Sequence, residues 1–313
     1  YNGSSYDYDK IIFANGSSPK KIEISKADKV NYLRTIEDSI KIKSGLEKVK
    51  NLIIIGAGFI GLEIASTIKK NHSNKKIYVI ESSSNILGRN SNDNIRDRIY
   101  NIHKSNGIQF FFNTEISKIN LDKDNNLHNI ILNNKEKLAA DMILVGIGVL
   151  PNIDILENSN IEIYNGIKVN EFLQTNLKDV YAIGDIAYYK SLFLNSFVRE
   201  ESWNNAEKQS YVVSQNILNN KIQYDEIPWF WTDQFENNFQ ILGQINNFDN
   251  YTQRIYDDNK FVEFYFKNNH IIGAFAQNMG RDIKITKEII KKNLICNLDF
   301  LKNSDNNLKT ILK

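Results

Sequence analysis

Cysteine is almost missing from this sequence. Cys296 is the only one, which excludes a disulfide framework and any cysteine redox pair within these residues and fits a reducing cytoplasm. Long apolar runs are missing too. The two longest, Leu52–Leu62 and Met142–Leu150, fall well short of the roughly twenty residues that span a bilayer, so no membrane span is expected. No charge of one sign prevails: 39 basic and 37 acidic side chains are interspersed, for a net charge of +2. That balance sets up no field to select nucleic acid or an anionic membrane. His72, His103, His128 and His270 are scattered without metal-ligand spacing and read as surface or packing residues. No zinc motif, P-loop or G-x-S-x-G elbow is present. The start, YNGSSYDYDK, has neither an initiator methionine nor the charged-then-apolar pattern of a signal peptide, and reads as a chain that begins mid-domain.

What is there suffices for more than one core. At 313 residues, 42% hydrophobic and 24% charged, the chain suits about two or three globular domains. DKIIFANG (9–16) reads as a short strand ending in glycine, and SSPKK after it as a turn or linker. A strand over Leu52–Ile55, a glycine-rich turn, a helix over Leu62–Lys70 and a strand over Lys76–Glu81 make one βαβ unit. A helix over Asp93–Ser105 leads into GIQFFFNTEISKI and the alternating LHNIILNN. ADMILVGIGVLPN (140–152) reads as a buried strand followed by a glycine-proline turn. Residues 26–148 therefore form one Rossmann-like domain. Beyond Pro151, IKVNEFLQTN and DVYAIGDIA read as two neighbouring strands, and ESWNNAEKQSYVVSQNIL as a long amphipathic helix. The tail from Ile227 carries the aromatic strands FVEFYF and HIIGAFAQ and a closing helix near Ile283–Lys292, an α+β arrangement.

The strongest local signal is Gly56, Gly58 and Gly61 after the strand Leu52–Ile55. Gly56 permits the tight turn, Gly58 lets backbone approach a pyrophosphate, and Gly61 lets helix pack on strand, while the helix N-terminus turns its amides and dipole to the phosphates. Phe59 and Ile60 count among the same cofactor contacts. A bare G-x-G-x-x-G is weak evidence, but here a strand precedes it, a helix follows it, and Glu81 ends the next strand about twenty residues on, where a ribose-binding acid belongs. A glycine-tolerant turn in another α/β domain is the alternative. A carboxylate at Glu81 accepts from ribose hydroxyls and repels a 2′-phosphate, and the SSSN that follows supplies no arginine, so NADH is favoured over NADPH. The plainer reading is a strand-end acid facing water, with Arg89 folding back toward the pocket.

Five motifs in order, GAGFIGLE, VGIGVLPN, VYAIGDIA, ESWNNAEKQ and IPWFWTDQFENNFQILG, closely resemble the NADH-dependent ferredoxin reductases of the rubredoxin and putidaredoxin reductase type, FAD enzymes that supply electrons to bacterial oxygenases. The resemblance runs from Tyr6 to the last helix. Each motif alone occurs across the wider superfamily of flavoproteins with two dinucleotide domains; the tryptophan-containing pair is much narrower. The resemblance implies an α/β fold with two Rossmann-like dinucleotide-binding domains, the FAD domain being split by an inserted NAD domain, plus a C-terminal α+β interface domain. On this chain the parts are 1–25, the end of the first FAD segment; 26–148, the NAD domain; 149–224, the second FAD segment; and 225–313, the C-terminal domain. The resemblance also implies roughly a hundred residues before Tyr1, with the FAD glycine motif and a Pro-Lys stretch beside the flavin, so the sequence reads as a fragment.

By the same resemblance, Gly184 and Asp185 of YAIGD are a second FAD contact, the carboxylate holding a ribityl hydroxyl. Ala14, Asn15 and Gly16 stand where the family reads Ala-Thr-Gly, Asn15 being a departure. Glu63 matches a glutamate at the nicotinamide, and Gly146, Gly148 and Pro151 match the loop closing over NAD. Trp203, Trp229, Phe230 and Trp231 resemble residues beside the flavin, where an aromatic wall excludes water. Read without the family, Asp185 is a helix cap, Glu63 one member of a buried structural pair, and the aromatics core. Hydride transfer between cofactors needs alignment more than an acid or base, which fits the lack of a catalytic constellation.

The implied activity is hydride transfer from NADH to FAD and then electron transfer to a ferredoxin or rubredoxin-type acceptor within an oxygenase system. An acidic partner calls for a basic face, and Lys284, Lys287, Lys291 and Lys292 are spaced to line one side of the final helix; an ordinary solvated lysine face is the alternative. Two other readings stay open. A disulfide, coenzyme A disulfide or NADH oxidase relative needs a cysteine near the flavin, and the tryptophan motif pair opposes it. An apoptosis-inducing-factor-like redox sensor would bind NADH, change a partner surface and turn over slowly.

Overall fold

In a computed structural model that describes residues 3, 5–88 and 91–313, the chain divides into two compact units. One comprises Tyr1–Ser18, Leu150–Trp231 and Gln240–Lys313; the other comprises Pro19–Val149 and Thr232–Phe239.

The second unit is built on five parallel strands in the spatial order Asn31–Tyr32, Met142–Val145, Asn51–Ile55, Lys76–Ile80 and Ile108–Phe111. The central strands are runs of branched apolar residues, as a parallel sheet covered on both faces requires; Leu52, Ile53 and Ile54 are fully buried. On one face Ile53, Ile80, Ile143 and Val145 share a core with Ile119, Ile130 and Leu132. Those three come from a small antiparallel sheet of Ile116–Leu121, Leu127–Leu132 and Lys137–Ala139. Successive strands run outward from Asn51–Ile55 in one direction, and Met142–Val145 returns on its other side. The order therefore reverses between these two strands, where open α/β sheets bind ligands at the carboxyl ends.

The helix after Asn51–Ile55 spans Phe59–Asn71 and so begins three residues before the expected Leu62. Gly61 lies inside its first turn rather than ahead of it, because only a glycine can pass the backbone at Gly56 there. The helix Asp93–Ser105 is as expected, capped by Asn92, whose side chain accepts from Ile95 N–H.

The other unit contains a parallel pair, Ile11–Phe13 with Val180–Ala182, and a four-stranded sheet of Ile163–Tyr164, Gly166–Val169, Ala187–Ser191 and Ser196–Val198. The helix Trp203–Ile217 follows, capped by Ser202. A second sheet carries Trp229–Gln234, Asn237–Gly243, His270–Gln277, Lys260–Lys267 and Asn250–Asp257 in that order. The helix Gly280–Lys291 packs on it through Ile283, Ile285 and Ile289, against Leu242, Val262, Phe264 and Ala276. Residues 232–239, the tip of the first hairpin of this sheet, group with the other unit.

Two expected turns are strands instead. Ser17–Pro19 and Val149–Pro151 are both extended, because a proline ending a short strand needs no ladder N–H and disrupts nothing. Among the described residues asparagine takes most of the left-handed positions not held by glycine: Asn113, Asn125, Asn268 and Asn269, among others, have positive φ, a conformation its short polar side chain tolerates.

Candidate functional site

At the reversal of the parallel sheet the glycines meet backbone to backbone. A Cβ on Gly56, whose φ is +100°, would stand 2.5 Å from the carbonyl oxygen of Gly146, and one on Gly61 would stand 2.1 Å from that of Gly56. Gly146 N–H donates to Ile55 O at 2.8 Å, which ties the two strand ends together. Gly58 is the N-cap of the helix, makes no side-chain cap and has open space where its Cβ would be. Phe59 is half-buried and Ile60 is exposed in the first turn. Gly148, at φ +96°, also faces open space. The result is a helix N-terminus with no side-chain cap and an unobstructed approach at Gly58, the arrangement that takes a pyrophosphate.

Glu81 lies just past Lys76–Ile80 in the same unit. Its carboxylate accepts from Ala57 N–H at 2.8 Å and from Ser83 N–H at 2.8 Å, and also from the Ser83 hydroxyl. Burial works to raise this carboxyl, but the hydrogen bonds from Ser83, Ala57 and Ser82 outweigh it and hold the group below the usual range. Glu81 is thus an oriented anion beside the glycine turn, suited to a ribose diol and hostile to a 2′-phosphate. Arg89 lies outside the described residues.

Glu63, in the second turn of the helix Phe59–Asn71, accepts from the Thr232 hydroxyl at 2.6 Å. Burial pushes its carboxyl up, while Thr232 and the Asp233 N–H draw it down by less. Its partners among the described residues are a hydroxyl and a backbone N–H. Thr232, Gln234 and the His103 that follows them in contact carried no signal read from the sequence. The clue available was the alternation in WTDQ, which puts Thr232 and Gln234 on one face of the strand and Asp233 on the other.

In the other unit, Asp185 sits inside the 3₁₀ turn Gly184–Ile186, whose N-cap is Ile183. Its carboxylate accepts from the Ser17 hydroxyl at 2.6 Å, so it serves as a cross-chain acceptor and not as a helix cap. Gly184, at φ +72°, gives its N–H to Gln209 Oε1 at 2.7 Å. The Gln209 amide nitrogen is buried with no hydrogen-bond partner, a donor left over next to Gly184 that fits a polar cofactor group. Asn15, the departure from Ala-Thr-Gly, exchanges amide-to-backbone hydrogen bonds with Asn152 in both directions. Ala14 is exposed, and Gly16 is half-buried at φ +64°. Period two along Trp229–Gln234 places Trp229 and Trp231 side by side, stacked at 5.1 Å. Trp203 meets Trp231 edge-on at 6.3 Å and is 67% exposed, which removes it from the core. Trp229 gives its indole N–H to Gln240, and Phe230 is half-buried.

The lysine stripe is partly paired. Lys287 is paired with Glu226 at 2.6 Å, Lys291 approaches the same carboxylate at 4.0 Å, and Lys292 donates to Leu312 O. Glu226 sits between two lysines one turn apart and offsets one of their charges, while Lys284, Lys291 and Lys292 stay exposed. Among the described residues no helix is long and apolar enough to cross a membrane.

Against known proteins, residues 1–210 match the family described as pyridine nucleotide-disulphide oxidoreductase, and residues 229–312 match the reductase C-terminal domain. The ferredoxin–NAD(+) reductase component of the 3-phenylpropionate/cinnamic acid dioxygenase of Photorhabdus laumondii is 28% identical over 92% of this chain and 73% of its own. Putidaredoxin reductase of Pseudomonas putida is 28% identical over 99% of this chain and 75% of its own. The crystal structure of the ferredoxin reductase for the CYP199A2 system of Rhodopseudomonas palustris is 27% identical, with a TM-score of 0.92 over 98% of this chain and 76% of that one. With a nucleotide turn of this geometry and a family match over its first 210 residues, the chain belongs to the pyridine nucleotide-disulphide oxidoreductase family.

Proposed function

We propose that this chain is a flavoprotein oxidoreductase that takes a hydride from NADH onto FAD and passes electrons to a ferredoxin-type protein of an oxygenase system. The observation that supports it most is the likeness to ferredoxin reductases along nearly the whole chain, through the nucleotide turn and the tryptophan strand alike.

In this reading residues 26–148 bind NADH. Gly56, Gly58 and Gly61, with Phe59 and Ile60, receive the pyrophosphate, Glu81 takes the ribose hydroxyls, Gly146 and Gly148 line the far side, and Glu63 meets the nicotinamide. Segments 1–25 and 149–224 hold FAD through Ala14, Gly16, Gly184 and Asp185. Trp203, Phe230 and Trp231 stand beside the flavin, the last two from the interface domain 225–313. Bound FAD supplies the conversion of a two-electron hydride into single electrons. The chain's own part is to orient both nucleotides and to keep water from the transfer. Glu81 selects NADH by charge, and a buried lone cysteine suits the cytoplasm.

The test is an anaerobic titration of the FAD-loaded protein, followed by cytochrome c reduction through added ferredoxin. Bleaching of the flavin band by NADH in preference to NADPH, with cytochrome c reduced only when ferredoxin is present, is the expected result. Turnover of a disulfide or of oxygen with no need for ferredoxin would overturn it in favour of a disulfide reductase or NADH oxidase. Slow turnover under every acceptor, with NADH altering partner binding, would favour a redox sensor.

A further inference from the structure

Glu63 is the end point of a directed chain of hydrogen bonds. Its Oε1 accepts from Thr232 Oγ1 at 2.6 Å, Thr232 Oγ1 accepts from Gln234 Nε2 at 3.1 Å, and Gln234 Oε1 lies 2.8 Å from His103 Nε2. An amide oxygen only accepts, so His103 must carry its proton on Nε2. The Gln234 amide is thereby oriented, its nitrogen points at Thr232, and the Thr232 hydroxyl proton has Glu63 as its acceptor. Thr232, Gln234 and His103 are all fully or almost fully buried. Burying three polar side chains is costly unless they are paired; here every polar atom of Thr232 and Gln234 in the chain of bonds has a partner and only His103 Nδ1 is left without one, which leaves the directed arrangement from Nε2 to Glu63 as the one that pairs the rest.

The hairpin tip is gripped elsewhere as well. Phe235 holds a φ of +55°, an uncommon and strained conformation for a bulky residue. Its ring lies edge-on to His103 at 5.1 Å, and Glu236 pairs with Lys70 at 2.8 Å. Strain of this kind persists where surrounding contacts over-determine it. Asp233 acts on Glu63 twice: its N–H donates to the carboxylate and its own charge opposes it.

We propose that the hairpin tip 232–239 is a positioning device for Glu63, in which His103 and Gln234 hold the Thr232 hydroxyl and Thr232 sets the orientation of the carboxylate before the nucleotide arrives. This rests on the reading of Glu63 as a nicotinamide contact. Preorganised in this way, the carboxylate loses no rotamer freedom on binding. Thr232, Gln234 and His103 touch no substrate and act only through Glu63.

The experiment compares calorimetric affinities for NAD+ and for ADP-ribose, which lacks the nicotinamide, and follows the Glu63 carboxyl by carbon-13 NMR titration, assigned by its loss in Glu63→Gln. Thr232→Val is expected to weaken NAD+ about five- to tenfold, to leave ADP-ribose unchanged and to raise the Glu63 titration midpoint. Gln234→Met gives the same pattern at smaller size, and Thr232→Ser, which keeps the hydroxyl, restores wild-type values. Equal weakening of NAD+ and ADP-ribose by Thr232→Val and Gln234→Met would mean the chain only stabilises the fold, and overturns the proposal. If Glu63→Gln weakens NAD+ while Thr232→Val does not, Glu63 keeps its role and positioning alone fails. If Glu63→Gln leaves NAD+ affinity intact, the nicotinamide reading fails and the proposal with it.

Discussion

The carbonyl oxygen of Gly56 occupies the place where a side chain on Gly61 would begin, 2.1 Å from an ideal Cβ. Both groups are backbone and neither can swing aside. Gly61→Ala is therefore expected to destabilise the fold by about 1–3 kcal/mol or more. Gly58→Ala makes the useful contrast: Gly58 is extended at φ −77° and has open space around it, so its melting temperature should stay close to wild type. Its methyl group nevertheless stands in the phosphate approach, and NAD+ affinity should fall about tenfold. Calorimetry and thermal melts of the two variants separate a packing glycine from a binding one.

Glu81 carries a pH signature. Its folded carboxyl titrates below the ordinary range, so it contributes stability that is present above the unfolded value and is lost as pH falls through the folded one. Glu81→Gln should lower the melting temperature at neutral pH, and the gap from wild type should close under acid. The same variant should narrow the preference for NADH over NADPH, measured as a ratio of dissociation constants.

His103 works in the same direction, since its folded value too lies below the unfolded one. Burial pushes its imidazole down to about 4, against a weaker pull upward from Gln234. The unfolded chain therefore binds the proton more readily between about pH 4 and 6.5, and stability rises with pH across that window. The span corresponds to an upper value on the order of 3 kcal/mol. His103→Phe should flatten the dependence of unfolding free energy on pH there, as read by urea titrations.

Arg254 organises the end of the chain. Its guanidinium, almost fully buried, donates to the carbonyls of Leu301, Asn303, Ser304 and Asn306 and lies 3.7 Å from Asp282. Tyr256 bridges the two, accepting from Arg254 and donating to Asp282. Lysine cannot reproduce that fork. Arg254→Lys should cost about 3–5 kcal/mol and should open residues near 301–306 to proteolysis.

Trp203 offers the reverse case, a ring mostly exposed and touching only the edge of the aromatic group through Trp231. Trp203→Ala should change stability by less than about 1 kcal/mol while slowing ferredoxin-dependent cytochrome c reduction several-fold. Loss of stability without loss of rate would assign the ring to packing against Trp231.

Much of this was legible because it is local. The strand, glycines and helix of 51–71 and the acid at 81 lie within one βαβ unit, and their spacing follows from the geometry of a phosphate turn. The helix start was misplaced because nothing within the sequence says that Gly61 must pass a carbonyl and so belongs inside the first turn. Ser17–Pro19 and Val149–Pro151 carried turn residues but no periodicity, and extended backbone there depends on neighbours remote in sequence. The lysine stripe had the right spacing, and Glu226, far away along the chain, takes one of its members, Lys287, as a partner.

By itself, then, the sequence determined the family, the nucleotide turn and the residue types at the site, since short-range spacing and rigid motifs encode them. The tertiary structure alone decided which side chains hold those residues. Glu63 acquires Thr232, Gln234 and His103, Asp185 acquires Ser17, and Asn15 acquires Asn152, each from a distant part of the chain. Such partners are chosen by the closing of the fold, because a buried polar group must find a hydrogen bond wherever the packing brings one.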